Sequence, residues 1–146
     1  MGDHFEEALK HTLQFEGVYA NDPADGGGET FRGISRRNWP KWNGWPLIDG
    51  AKSAGARKAK DINECFFDEP IMNRSVAEFY YQNFWKPLEP LEAPDRIMAK
   101  LFDTAVNLGQ KGAIIVLQRA LNRTDPIAPL AEDGIIGPRT KEALNL

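Results

Sequence analysis

Phe15-Glu16-Gly17-Val18-Tyr19-Ala20-Asn21-Asp22-Pro23-Ala24-Asp25-Gly26-Gly27-Gly28-Glu29-Thr30-Phe31-Arg32-Gly33-Ile34-Ser35 is the stretch on which the reading of this chain turns. Glu16 stands where an apolar run gives way to a turn-rich loop. Nine residues later comes Asp25, then three glycines and Thr30. Gly26, Gly27 and Gly28 bury no side chain, but they let the backbone turn tightly or approach a ligand. Asn21-Asp22-Pro23 and Asp25-Gly26 are turn signals. Residues 19–34 are therefore expected as a loop or short β-hairpin. Two carboxylates flanking one bond are the equipment of glycoside hydrolysis. Glu29 competes with Asp25 for the second position. The alternative for Asp25 is a turn residue bonding its own backbone.

Upstream, Asp3 to Phe15 has helical spacing: Phe5, Ala8, Leu9, Thr12 and Leu13 recur on one face. Asp3 with Glu6 forms an Asp-type capping box. Glu16 continues the apolar face, which directs its carboxyl inward. Burial raises a carboxyl pKa, and a proton held near neutral pH is what a general acid needs. The alternative is a helix-end Glu that is merely solvated or paired.

The chain has 146 residues, 42% hydrophobic and 27% charged, with net charge −3. That suits one domain, or one with a small appendage, and gives no general affinity for nucleic acid. One cysteine, Cys65, excludes an intrachain disulfide framework and reads as a small buried thiol. Two histidines and one cysteine offer no spaced metal-ligand cluster. The N-terminus shows no basic and apolar leader, and no run approaches the length of a membrane span.

Downstream, Trp39, Trp42 and Trp45 lie three apart among Pro40, Gly44 and Pro46. Two roles fit: indoles plugging a loop onto the core, or aromatic faces stacking on sugar rings. Trp39 and Trp42 are taken as candidate sugar contacts, contributing more to binding than to stability. Residues 51–60 are small and basic, a solvated helix or loop able to meet wall anions. Asn73 or Ser75 caps a helix running through Trp85. Lys86 to Pro94, with three prolines, reads as a stiff connector. Asp95 caps a helix to Leu108 that stops at Gly109. Gly112 to Asn122 forms another, and Pro138 opens a short final one. The chain is thus expected to be mainly α.

Glu16-Gly17-x-Tyr19, Pro23-x-Asp25-x-Gly27-Gly28-x-Thr30 and Gly33-Ile34 resemble the signature of the glycoside hydrolase 108 N-acetylmuramidases, long described as secretion activators. The Glu-x8-Asp spacing with a following Thr is also similar to the triad of phage lysozymes. Val18 stands where the family usually has glycine, and Thr30 follows Asp25 one residue sooner than in most phage lysozymes. Leu117-Gln118-x-x-Leu121 with Asp133-Gly134-x-x-Gly137-Pro138-x-Thr140 resembles peptidoglycan-binding modules. The Asp-Gly turn there chiefly sets backbone shape.

The resemblance implies a mainly α, lysozyme-like fold with one short Gly-rich β-hairpin beside the catalytic helix. It implies a muramidase region over 1–90 and a helical peptidoglycan-binding-like segment over 95–146, packed into the same body. Glu16, Asp25 and Thr30 become the catalytic candidates. Tyr19, Gly27, Gly28, Trp39 and Trp42 become the substrate-binding candidates. No cofactor or metal is implied. The expected partner is peptidoglycan glycan, acted on in the wall or periplasm by a monomer that a holin or another export route releases. A lytic transglycosylase would use Glu16 alone. A non-catalytic wall-binding or assembly module could keep the same fold, and a plain structural domain would not need the hairpin. A turbidity assay on purified walls with mass analysis of the products separates them.

Overall fold

A computed structural model describes residues 2–14, 19–22, 24, 28–124 and 129–145. Helices predominate: α1 (Asp3–Leu13), α2 (Trp45–Ser53), α3 (Ala59–Phe66), α4 (Pro70–Tyr80), α5 (Asp95–Leu108), α6 (Gln110–Thr124) and α7 (Pro138–Leu144). Three short strands, β1 (Tyr19–Asn21), β2 (Glu29–Phe31) and β3 (Ile34–Ser35), form one antiparallel sheet in the order β1-β2-β3. A mainly helical chain with one small hairpin sheet is what a lysozyme-like fold requires, and this chain has it. No helix among the described residues is long and apolar enough to cross a membrane.

Two compact units are present: residues 9–79, and residues 1–8 together with 80–146. In the first, Phe31, Ile34, Trp45, Ile48, Ile62 and Met72 are fully buried. The hairpin β2–β3 closes through Arg32 and Gly33, whose φ values are 44° and 81°. Two successive left-handed residues make the tight turn whose twist matches paired strands. Gly33 meets that demand without a Cβ clash; Arg32 meets it with its side chain anchored. The Arg32 guanidinium donates to Asn73 Oδ1 at 2.7 Å and to the Phe66 carbonyl at 3.2 Å.

In the second unit, Phe5, Tyr80, Leu88, Leu91, Phe102 and Ile114 form the core. Phe5 meets Tyr81, Trp85 and Phe102 edge-on, with ring centroids 5.2, 5.4 and 5.7 Å away. Helix α5 buries Met98, Leu101, Phe102 and Ala105. It ends at Gly109, whose φ is 84° and whose N–H returns to the Ala105 carbonyl at 2.8 Å.

Three expectations change, the first being Cys65, read as a small buried thiol, which is exposed. The helix assigned to an Asn73 or Ser75 cap begins at Pro70, because Glu69 takes the capping role. Its carboxylate accepts the N–H groups of Ile71 and Met72 at 3.2 and 2.7 Å. The helix continues beyond Tyr80 as a π-helical turn, Tyr81–Trp85. The supposed connector is a packed 3-10 helix, Lys86–Leu91, with Leu88 and Leu91 fully buried. Proline tolerates this conformation at a first turn, and the two leucines supply the burial that holds it.

The motif near the C-terminus is built around Gln118, which is 1% exposed. Its Nε2 donates to Asp133 Oδ1, the Ile135 carbonyl and Thr140 Oγ1 at 3.1, 3.1 and 3.3 Å. Its Oε1 accepts the Gly134 N–H at 3.0 Å. A buried amide with both ends satisfied fixes the loop against α6 and α7. This accounts for the Asp133-Gly134 turn and for Thr140 as structural elements.

Candidate active site

Thr30 and Glu29 are neighbours in β2 and therefore point to opposite faces. In the β1–β2 pair, Tyr19 faces Phe31, Ala20 faces Thr30 and Asn21 faces Glu29. Thr30 also pairs with Ser35. One face of the sheet carries Tyr19, Asn21, Glu29 and Phe31; the other carries Ala20, Thr30 and Ser35. The second face is the less buried one: Ala20 is exposed, and Thr30 and Ser35 are half-buried.

Glu29 is committed to an ion-pair network. Its side chain is 10% exposed. Tyr19 Oη donates to Oε2 at 2.5 Å, and Lys52 Nζ donates to the same oxygen. Arg36 Nη1 donates to Oε1 at 2.8 Å, and the same guanidinium grips Asp49 through Nη1 and Nη2 at 2.8 and 2.7 Å. The Arg36 guanidinium also lies 5.2 Å from the Trp45 ring centre. These contacts tie β2 and the residue after β3 to α2.

The electrostatics follow. Burial pushes the Glu29 carboxyl up, but the hydrogen bonds from Lys52, Tyr19 and Arg36 outweigh it and hold the group below its ordinary 4.5. The Arg36 hydrogen bond likewise holds Asp49 low. Burial alone would lower the Lys52 ammonium, yet its bonds to Glu29 and Tyr19 raise it. A carboxylate held ionised by two cations and a phenol is a poor proton donor. Glu29 is an anchor for the hairpin.

Glu29→Gln is therefore expected to cost about 1–3 kcal/mol at neutral pH, because it takes the anion from Lys52 and leaves Arg36 with Asp49 alone. Since the folded carboxyl lies below 4.5, its stabilisation is complete above that value. It is lost as pH falls through the lower folded value. Thermal melts across the acid range should show a flatter acid limb for the variant. Parallel wild-type and variant curves would oppose the assignment.

Among the other sequence candidates, Glu16, Asp25 and Gly27 lie outside the described residues. Gly28 leads into β2 with φ 68°. Tyr19 is buried and its hydroxyl serves Glu29. Trp42 is 9% exposed. Its Nε1 donates to the Ser75 carbonyl at 3.2 Å. Its ring stacks near Phe31 and meets Trp45 and Phe79 edge-on. Trp39 is 37% exposed and meets Phe79 in a T-shaped contact, with ring centroids 4.9 Å apart. The triplet is thus divided: Trp42 and Trp45 fill the core of their unit, and Trp39 stays partly exposed.

Asp22 Oδ1 accepts the Ala24 N–H at 2.9 Å, so it is a turn residue. Sequence reasoning did not find Arg36, Asp49 and Lys52. Part of the signal was present. A two-residue turn at Arg32-Gly33 sets Glu29 across from Arg36, an opposite-charge cross-strand pair. The two partners from α2 carry no such signal.

The family model for glycosyl hydrolase 108 matches residues 9–109. No curated protein gives a significant match. Among solved structures, the chain is similar to SagA of Brucella abortus, with a TM-score of 0.60 and 23% identity. That alignment covers 97% of this chain and 68% of the SagA chain. At this identity the likeness speaks for the fold.

Proposed function

Because the chain belongs to the glycosyl hydrolase 108 family, we propose that it hydrolyses the β-1,4 bond between N-acetylmuramic acid and N-acetylglucosamine in peptidoglycan. The observation that carries this reading is the division of the acidic groups in the hairpin segment. Four carboxylates lie between residues 16 and 29. Asp22 is used by its own turn, and Glu29 is locked between Lys52 and Arg36. The chemistry is assigned to the other two. Glu16 protonates the leaving oxygen, and Asp25 stabilises the oxocarbenium-like transition state or positions the attacking water. Thr30, on the sheet face away from the Glu29 network, helps to hold that water. Clearing of purified walls, followed by mass analysis of the products, tests the reading. Reducing-end muramic acid supports it, and a 1,6-anhydro product would move Glu16 into a transglycosylase.

The reaction is expected to invert the anomeric centre. Inverting enzymes hold their carboxyl groups roughly 6.5–9.5 Å apart to admit a water, and retaining ones about 5–5.5 Å. A hydroxyl that shares the water with Asp25 is a group a direct nucleophile would not need. NMR of the first product before mutarotation should show the α-anomer. An initial β-anomer would require double displacement.

Trp39, which is partly exposed, is assigned a sugar contact, with buried Trp42 supporting the segment. Segment 95–146 is assigned wall attachment, with the loop held by Gln118 presenting it. The enzyme works as a monomer on the wall or periplasmic side, reached through a holin or another export route.

A further inference from the structure

A cleft of about 510 Å³ lies on the Tyr19–Asn21 side of the sheet, away from Thr30. Its walls are Tyr19, Asn21, Lys52, Ser53, Arg57 and Ala59. The volume falls within the range of small-ligand sites. Residues 51–60 carry Lys52, Arg57, Lys58 and Lys60 and no acidic residue. Lys52 is bonded to Glu29. Arg57 is exposed, and no partner engages its guanidinium among the described residues.

The backbone around Arg57 is nevertheless held. Ala56 N–H bonds the Ala51 carbonyl at 3.0 Å, and Gly55 N–H bonds the Lys52 carbonyl at 3.1 Å. On the other side, the Asp61 carboxylate accepts the Lys58 N–H at 3.3 Å. A guanidinium with no partner among the described residues, on a held backbone at the edge of a polar cleft, suits bidentate capture of one planar carboxylate. The Asn21 amide and Ser53 hydroxyl beside it supply donors and acceptors for the amides of a short chain.

We propose that this cleft binds the stem peptide of peptidoglycan, with Arg57 taking a carboxylate and Asn21 and Ser53 the peptide amides. The identity of the peptide rests on the muramidase reading; the carboxylate site rests on the cleft. A phosphodiester polymer fits less well. It would call for a row of free cations along the walls, whereas the ammonium of Lys52 is already taken.

The test uses the full chain and two synthetic tetrapeptides of the stem sequence, one with a free C-terminal carboxylate and one amidated, with binding followed by NMR titration. Wild type should bind the acid at least tenfold more tightly than the amide. Arg57→Ala should bring the acid down to the amide's affinity, and Arg57→Lys should restore only part of the difference, since it keeps charge without the fork. Folding of both variants is checked by melting, and the exposed position makes loss of the fold unexpected. Equal binding of acid and amide, or binding unchanged in Arg57→Ala, overturns the proposal. So does tighter, Arg57-dependent binding of a glycerol-phosphate oligomer. Cleavage of peptide-free glycan by wild type is measured alongside. Its absence with Arg57-dependent peptide binding intact would remove the muramidase reading and leave the site standing.

Discussion

Glu16→Gln is expected to remove wall lysis while leaving the melting temperature near that of wild type. The substitution keeps size and polarity and deletes only the transferable proton. General acid catalysis is typically worth 10²–10⁴-fold, so activity should fall by about that much. The position follows an amphipathic helix that buries Phe5, Ala8 and Thr12 along one face. The sequence spacing continues that face to position 16, and the expectation of a proton-holding carboxyl rests on that pattern. Glu29 is held ionised by its partners and cannot take over the acid's task. Wall clearing is measured at equal concentrations of folded protein, judged by circular dichroism. A folded Glu16→Gln protein clearing walls at the wild-type rate would refute the acid assignment.

Trp42→Ala should produce the largest loss of stability, about 3–5 kcal/mol, the range for removing a buried large aromatic. The ring centre lies 5.2 Å from that of Trp45 and 6.2 Å from those of Phe31 and Phe79. Truncation would leave a cavity among three rings and remove the indole N–H bond to the Ser75 carbonyl. The surroundings are also tight. A Cβ added at Gly44 would come within 2.2 Å of the Trp42 ring, so Gly44→Ala should be destabilising as well. Trp39→Ala provides the contrast. With 37% of its surface open, it has less packing to lose. Urea unfolding of the three variants ranks them. A Trp42→Ala midpoint equal to that of Trp39→Ala would remove Trp42 from its place in the core.

What could be foreseen differed by region, and for physical reasons. Helix α5 was legible because Met98, Leu101, Phe102 and Ala105 repeat at helical spacing and Gly109 supplies the left-handed stop. The hairpin was legible because its turn residues are local signals. Residues 70–91 were not. Asn73 and Ser75 are good caps in isolation, but Glu69 reaches the free N–H groups first. The prolines of 86–94 read as a connector because their local preference is extended or turn-like, whereas burial of Leu88 and Leu91 settles the actual conformation. In the site region, the two faces of β2 follow from strand alternation alone. That α2 holds Glu29 through Lys52 and grips its partner Arg36 through Asp49 depends on residues 23 and 20 positions further along, which no local pattern relates to it.

By itself, the sequence determined the mainly helical class, the Gly-rich hairpin and the membership of a glycosyl hydrolase family, because spacing, turn chemistry and motif are carried by neighbours along the chain. Tertiary structure alone decided how the ambiguous side chains are spent. It set Glu29 into an ion-pair network, put Trp42 and Trp45 inside and left Trp39 partly open, and gave Gln118 the task of holding a loop. The reason is that a carboxylate, an indole or an amide is equally suited to packing and to chemistry. Only the groups brought against it from distant parts of the chain determine whether its charge, ring face or hydrogen bonds remain free.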